Sequence, residues 1–173
     1  LSFWGLIISL VSCFALAGLG AALRPLMPFT LLIPDVLLWV MVIGVLFVHE
    51  WLHGVAIQYY GHRPIYGVKW SQLGAVKVPL AFYATSGGAY FRRDAFNVIA
   101  LTPLVVITLI GALLYLLIPF SGYTALTAVL VVNGSGAVGD VWMWWTVRRY
   151  PADALVYDDA DSIAVYVRDE QKE

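Results

Sequence analysis

Four long apolar runs, separated by shorter polar stretches, dominate the pattern of hydrophobic and polar positions along the chain. Each run reaches the ~20 residues that an α-helix needs to cross a bilayer. The predicted membrane spans are residues 3–23, 31–59, 95–118 and 123–147. Pro103 lies inside the third span and predicts a kink there. The pattern therefore predicts an all-α membrane protein with about four transmembrane helices, in which residues 1–173 form one integral membrane domain.

Two segments depart from the helical pattern. Residues 61–94 mix Gly, Pro and Lys with short β-branched and aromatic runs, which is typical of strands joined by glycine turns. We expect a small β-like insertion of two or three strands between the second and third helices. Residues 150–173 are acidic, and we expect a solvated cap or a disordered end, although their run "SIAVYV" could form one strand.

The composition supports a membrane protein and argues against two other classes. Hydrophobic residues make up 61% of the chain and charged residues 12%, whereas soluble domains have roughly 45–50% and about 25%. The net charge is -1 and no basic stripe with interleaved aromatic residues is present, so we expect no nucleic-acid partner. The single cysteine, Cys13, excludes a disulfide within the chain.

The positions of the basic residues predict an orientation in the membrane. Only Arg24 of the ten Lys and Arg residues lies outside two regions, the 61–94 loop and the segment after residue 147. Lys and Arg collect on the cytoplasmic side of membrane proteins. We therefore expect a multi-pass protein of the cell membrane, with both termini, the 61–94 loop, the 150–173 tail and the active-site end in the cytoplasm.

The second apolar run contains the stretch "GVLFVHEWLHGVAIQ", in which His49, Glu50 and His53 form the pattern H-E-x-x-H. Positions i and i+4 share a helix face, so both imidazoles can reach one ion. The glutamate beside the first imidazole can act as a general base. Two packing histidines and a stray glutamate are the alternative, but polar groups inside a membrane helix are costly unless they have a function or a partner.

A catalytic zinc site usually has three protein ligands and one water, so a third ligand is needed. Asp140 lies between apolar runs of the last predicted span. At 1.5 Å per residue, His49 and Asp140 both lie about 25 Å from the predicted outer ends of their helices. This common depth favours Asp140 as the third ligand. The alternative is an ion pair with Arg148 or Arg149, about two turns further along the helix.

Other polar residues are weaker candidates. Asn133 lies about two turns before Asp140 on nearly the same helix face, and could bind substrate or orient a ligand. His62 falls in a loop, where exposure is usual. Asp35 is predicted near the opposite face of the membrane, at the wrong depth. Asp94 follows two arginines and is expected to pair with one of them or stay solvated.

The order of these motifs resembles known zinc peptidases. An H-E-x-x-H helix followed by a late helix with Asn and then Gly-Asp resembles site-2 proteases, the intramembrane zinc metalloproteases. The whole layout more closely resembles the small zincin peptidase family DUF3267. There the motif helix, a "TSGG" type turn with following basic residues, a proline-containing helix and a late Asn…Gly-Asp helix recur in this order. The likeness spans about residues 31–165.

The resemblance implies a role for each motif residue. His49, His53 and Asp140 would be zinc ligands and Glu50 the general base. Asn133 would correspond to the asparagine of the late motif in site-2 proteases. The chain departs from that motif, because it has "NGSG" and "VGDV" in place of Asn-x-x-Pro and Leu-Asp-Gly. Its Asn–Asp spacing is also one residue shorter.

The predicted function is a membrane-embedded, zinc-dependent metalloprotease that cleaves membrane or membrane-associated proteins. Its expected partners are a membrane protein or peptide substrate and the lipid bilayer. The segment "VKVPLAFYA" could pair with an extended substrate through a strand edge. A metal or ion transporter without hydrolytic activity is the alternative, since intramembrane ionisable residues also serve transport. An inactive relative that binds a partner helix is a third possibility.

Overall fold

A computed structural model describes residues 35–73, 76–117, 123–159 and 162–168. This part of the chain forms four helices and five strands. In chain order the elements are α1 (Asp35–Tyr59), β1 (Ile65–Leu73), β2 (Val76–Thr85), β3 (Tyr90–Arg92), α2 (Arg93–Leu117), α3 (Tyr123–Gly136), α4 (Val138–Val147), β4 (Leu155–Asp158) and β5 (Ile163–Tyr166).

Helix α1 ends in a glycine cap. Gly61 has φ of 84°, a left-handed conformation that glycine adopts without steric cost. The Gly61 N–H donates to the carbonyl of Gln58 at 2.9 Å, and the His62 N–H donates to the carbonyl of Ile57 at 3.2 Å. These two bonds form a Schellman motif, which satisfies the last helical carbonyls and turns the chain toward β1.

Packing divides the chain into two units. The first comprises Leu1–His49 and Pro103–Gly139, and its described part is entirely helical except for the turn residue Ala137. Within it, Gly111 of α2 lies against the side chain of Leu130 from α3, where an added Cβ would come within 2.4 Å of a leucine methyl. The missing side chain therefore allows close approach of the two helices.

The second unit comprises Glu50–Thr102 and Asp140–Glu173, and it contains all five described strands. Its core is a cluster of buried apolar side chains: Ala56, Ile57, Phe91, Phe96, Ile99, Ala100, Val147 and Val156. Full burial of a Val, Ile or Phe side chain contributes roughly 1.5–3 kcal/mol, so this cluster stabilises the unit.

The strands form two antiparallel sheets. Strands β1 and β2 make a hairpin that pairs Ile65 with Thr85 and has a register shift between Lys69 and Trp70. The second sheet has the order β3-β4-β5, with β4 in the centre. Its first strand leads directly into α2, and the Arg93 N–H donates to the carbonyl of Ala154 at 2.9 Å. The sheet thereby fixes the start of α2.

The prediction of an all-α fold is wrong, because the described chain is a mixed α and β structure with two antiparallel sheets. The 61–94 segment forms β1, β2 and β3, so its strands are a major part of the fold rather than a minor insertion. The tail contributes β4 and β5, and the preferred expectation of a solvated or disordered end is therefore wrong for its described residues. Strand β4 pairs with β3 on one side and with β5 on the other, and the local sequence does not reveal these partners.

The prediction of about four membrane spans also needs correction. Two described helices are long and apolar enough to cross a membrane, over Leu37–Tyr59 and Arg93–Leu114. Helices α3 and α4 would together make a third span, but they are bent by 41° at Ala137 instead of forming one continuous helix. Glycines near the bend favour such a break. The predicted first span, residues 3–23, lies outside the described residues.

Candidate metal centre

Helix α1 presents both motif histidines on its buried face. His49 and His53 are 5% and 7% exposed, whereas Phe47, Val48 and Trp51 between and beside them are 45% or more exposed. The spacing of four residues places the two imidazoles on the same face of one continuous helix. Burial of two imidazoles in an otherwise apolar helix calls for polar partners.

Asp140 provides one of these partners. It lies in the first turn of α4, where the positive end of the helix dipole favours a carboxylate. Its Oδ1 is 3.4 Å from His53 Nε2, and the residue is 8% exposed. Of the two arginines after α4, Arg148 lies 3.6 Å from the ring centroid of Trp145, and Arg149 lies 5.3 Å from the same ring.

His49, His53 and Asp140 each offer one ligand atom, and these three atoms lie within 4.8 Å of one another. Two imidazoles and a carboxylate are a common ligand set for zinc with one position open. In a tetrahedral site with bonds of about 2.0–2.1 Å, neighbouring ligand atoms are about 3.3 Å apart. The 3.4 Å separation of His53 Nε2 and Asp140 Oδ1 matches this spacing. The residues present therefore fit a zinc ion.

Both imidazoles are held by hydrogen bonds at their other nitrogen. The Nδ1–H of His49 donates to Oδ1 of Asn133 at 2.9 Å, and the Nδ1–H of His53 donates to the carbonyl of Ile99 at 2.9 Å. An Nδ1–H donor puts the lone pair of the ring on Nε2, which is then the nitrogen that binds metal. Such partners orient a metal-binding histidine and raise its basicity.

Comparison with known proteins agrees with this geometry. The family model described as "Putative zincin peptidase", DUF3267, matches residues 42–155 of the chain. The chain belongs to this family. The resemblance inferred from the motifs is thus confirmed at the family level, and membership in a zincin family implies zinc as the cofactor. No curated protein and no solved structure matches the chain.

The region that matches the zincin family contains the other predicted site residues, Glu50 and Asn133. Glu50 is half-buried and is not a member of the three-ligand group. Asn133 is 1% exposed, and its Oδ1 accepts a hydrogen bond from His49.

Two of the weaker candidates, His62 and Asp94, lie outside the three-ligand group. His62 packs edge-on against Phe91, with ring centroids 4.9 Å apart. Asp94 accepts hydrogen bonds from the Arg93 guanidinium at 2.8 Å, which confirms the expected local pairing. The side chain of Asp35 lies outside the described part of the chain.

One partner of the site was not predicted from the sequence, the carbonyl of Ile99. Sequence motifs identify side chains, whereas a backbone carbonyl is the same at every position and therefore has no sequence signature. The one available signal was Pro103, four residues later in the same helix, because a proline has no N–H to occupy that carbonyl.

Proposed function

We propose that the chain is a membrane-embedded zinc metallopeptidase that hydrolyses peptide bonds of membrane or membrane-associated proteins at its H-E-x-x-H residues. The observation that carries the proposal is the convergence of His49, His53 and Asp140, whose ligand atoms lie within 4.8 Å of one another. Membership in the zincin peptidase family supports hydrolysis as the outcome.

Each polar residue has a defined task in this reaction. His49, His53 and Asp140 would hold the zinc, which supplies Lewis acidity that polarises a carbonyl and lowers the pKa of water toward about 7. Glu50 accepts the proton of the attacking water and delivers it to the departing amine nitrogen. Because Glu50 is half-buried and follows His49 directly, it can serve both steps beside the ligands without being one of them.

The membrane location is supported by the described helices. His53 lies six residues before the end of the apolar segment Leu37–Tyr59, which is about 9 Å along the helix. Every described Lys and Arg belongs to the second unit, which also contains the strands. We propose a multi-pass protein of the cell membrane in which this basic region, both termini and the active-site end are cytoplasmic. Water would then reach the ligands over a short distance from that side.

A site-2 protease type of reaction requires an extended substrate. Among the described strands, β1 and β2 pair with each other along one edge of each strand, and a peptide that paired with β2 would use its other edge. An extended peptide can add to such an edge through backbone hydrogen bonds. We propose that the β2 segment "VKVPLAFYA" presents this edge to a membrane-protein or peptide substrate.

The test compares Glu50→Gln with Asp153→Asn, which makes the same change of carboxylate to amide in an exposed turn. Both variants and the wild type are reconstituted in proteoliposomes with a library of transmembrane-segment peptides. Zinc is measured by elemental analysis and cleavage by mass spectrometry. We expect Glu50→Gln to retain zinc and to lose at least about 100-fold in turnover, because general base catalysis contributes about 10²–10⁴-fold.

Asp153→Asn should leave both zinc content and turnover unchanged. Wild-type turnover in Glu50→Gln would refute the role of Glu50. Uptake of zinc into the same proteoliposomes without cleavage of any peptide would favour a transporter over a hydrolase.

A further inference from the structure

Pro103 lies inside α2, in a position where a helix normally excludes proline. Proline has no backbone N–H, so it cannot donate to the carbonyl four residues earlier, and its ring pushes that carbonyl away from the helix axis. In α2 this carbonyl belongs to Ile99. Pro103 itself is less than 2% exposed and is therefore a packed part of the structure.

The Ile99 carbonyl needs another donor, because a buried backbone carbonyl is rarely left without a hydrogen bond. Ile99 is 6% exposed, so water is a poor substitute. The Nδ1–H of His53 provides the donor, with 2.9 Å between Nδ1 and the carbonyl oxygen. The Ile99 carbonyl, which lacks its usual hydrogen bond within the helix, is thus the acceptor that orients His53.

We propose that Pro103 is a positioning residue for the metal centre. Because Pro103 lacks an N–H, the Ile99 carbonyl is available to His53. This carbonyl accepts the hydrogen bond of the His53 Nδ1–H and so fixes the orientation of the ring. The ring of His53 then presents its Nε2 lone pair to the metal. This inference rests on the proposed zinc site and not on peptide hydrolysis.

The two histidines differ in a way that supports this role. His49 is oriented by a side-chain amide oxygen, that of Asn133, which is not part of a helix hydrogen-bond ladder. His53 is oriented by a carbonyl within a helix, and any residue other than proline at position 103 would supply an N–H that competes for it. A missing N–H at position 103 therefore favours the second arrangement and has no bearing on the first.

The test replaces Pro103 in two ways that differ by one N–H. Pro103→Ala restores the backbone donor. Incorporation of lactic acid at position 103, by nonsense suppression, gives the same methyl side chain with an ester oxygen in place of the N–H. Zinc affinity is measured by competition with a chelator on the full chain in detergent. The Nδ1–H of His53 is followed by nitrogen NMR on the metal-free protein with labelled histidine.

We expect Pro103→Ala to weaken zinc binding about 10–100-fold, as loss of a partner that orients a metal ligand typically does. The NMR signal of the His53 Nδ1–H should shift in the same variant. The lactic acid variant should restore both properties to near the wild-type level, although the proline ring is absent.

Two results would overturn the proposal. One is zinc affinity within about twofold of wild type in Pro103→Ala, with an unchanged His53 signal. The other is equal weakening in the alanine and lactic acid variants, which would assign the effect to the volume of the ring. The NMR measurement needs neither zinc nor a substrate, so failure of the proposed hydrolysis would leave this test intact.

Discussion

The two units differ most in how they distribute charge and side-chain polarity. The described part of the first unit, residues 35–49, 103–117 and 123–139, contains no Lys or Arg and no strand. Its exposed side chains include a set of large apolar residues: Trp39, Val40, Ile43, Phe47, Leu109, Ile110 and Leu113. The second unit contains every described Lys and Arg and both sheets.

This difference fits the proposed membrane location. A helical surface covered with large apolar side chains is stable where the neighbouring molecules are lipid chains, because no apolar area is then exposed to water. Strands with lysines and arginines suit an aqueous phase, in which open backbone groups can bond to water. Two buried polar residues of the first unit, His49 and Asn133, are joined by a hydrogen bond from the His49 Nδ1–H to Oδ1 of Asn133.

The largest expected effect comes from placing a charge on the apolar surface. Val105 is 47% exposed and lies 12 residues after Arg93, about 18 Å along α2 and near the middle of its candidate span. Val105→Arg should cost about 2.5–3.5 kcal/mol of insertion free energy. Glycosylation-based insertion assays and the yield of folded protein would measure it. Val76→Arg, at a 61% exposed position of β2, is the control and should change little. Equal tolerance of both variants would contradict the lipid-facing assignment.

A smaller effect is expected from two glycines of α1, one in each unit. An added Cβ at Gly54 would lie 1.8 Å from the Tyr66 hydroxyl, whereas one at Gly44 would meet nothing within 4 Å. Alanine in place of a helical glycine stabilises by about 1 kcal/mol. We therefore expect Gly44→Ala to raise the free energy of unfolding, and Gly54→Ala to be about 1–3 kcal/mol less stable than Gly44→Ala because Tyr66 is displaced.

Thermal unfolding in detergent would measure both glycine variants. In Gly54→Ala the fluorescence or chemical modification of Tyr66 should report its release from α1. Equal stabilisation by the two substitutions would show that the hairpin does not depend on this contact.

The smallest effect is expected at the basic end of the second unit. Arg148 lies over Trp144 at 4.8 Å and over Trp145 at 3.6 Å, whereas Arg149 lies over Trp145 alone at 5.3 Å. An exposed cation–π contact contributes about 0.5–1 kcal/mol. Arg148→Gln should lower the free energy of unfolding by about this amount, and Arg149→Gln by less. Chemical unfolding followed by tryptophan fluorescence would compare them, and a larger loss in Arg149→Gln would contradict the ranking.

The metal-binding group could largely be predicted from the sequence because its determinants are local. Helical spacing places His49 and His53 on one face, and the depth of Asp140 along its helix selects it from the acidic residues. The Ile99 carbonyl, which orients His53, was not predicted. It is available because Pro103, elsewhere in the helix, has no N–H, and motif patterns do not show such an effect.

The fold was less predictable than the site. Alternating β-branched and aromatic residues indicated strands in residues 61–94, and three are present there. The second sheet joins Tyr90 with Tyr157, which are far apart along the chain, and nothing in either short segment specifies the other as its partner. The bend between α3 and α4 likewise depends on how the helices pack, although nearby glycines permit it.

The number of residues between the bend at Ala137 and Asp140 determines where the carboxylate lies. Ala137 is 0% exposed, and its N–H donates to the carbonyl of Asn133 at 3.0 Å. Each residue of a helix rotates the chain by about 100° around the helix axis. One residue inserted or deleted between Ala137 and Asp140 would therefore rotate the Asp140 carboxylate away from His53. Such a variant would keep every ligand side chain and still lose the ion.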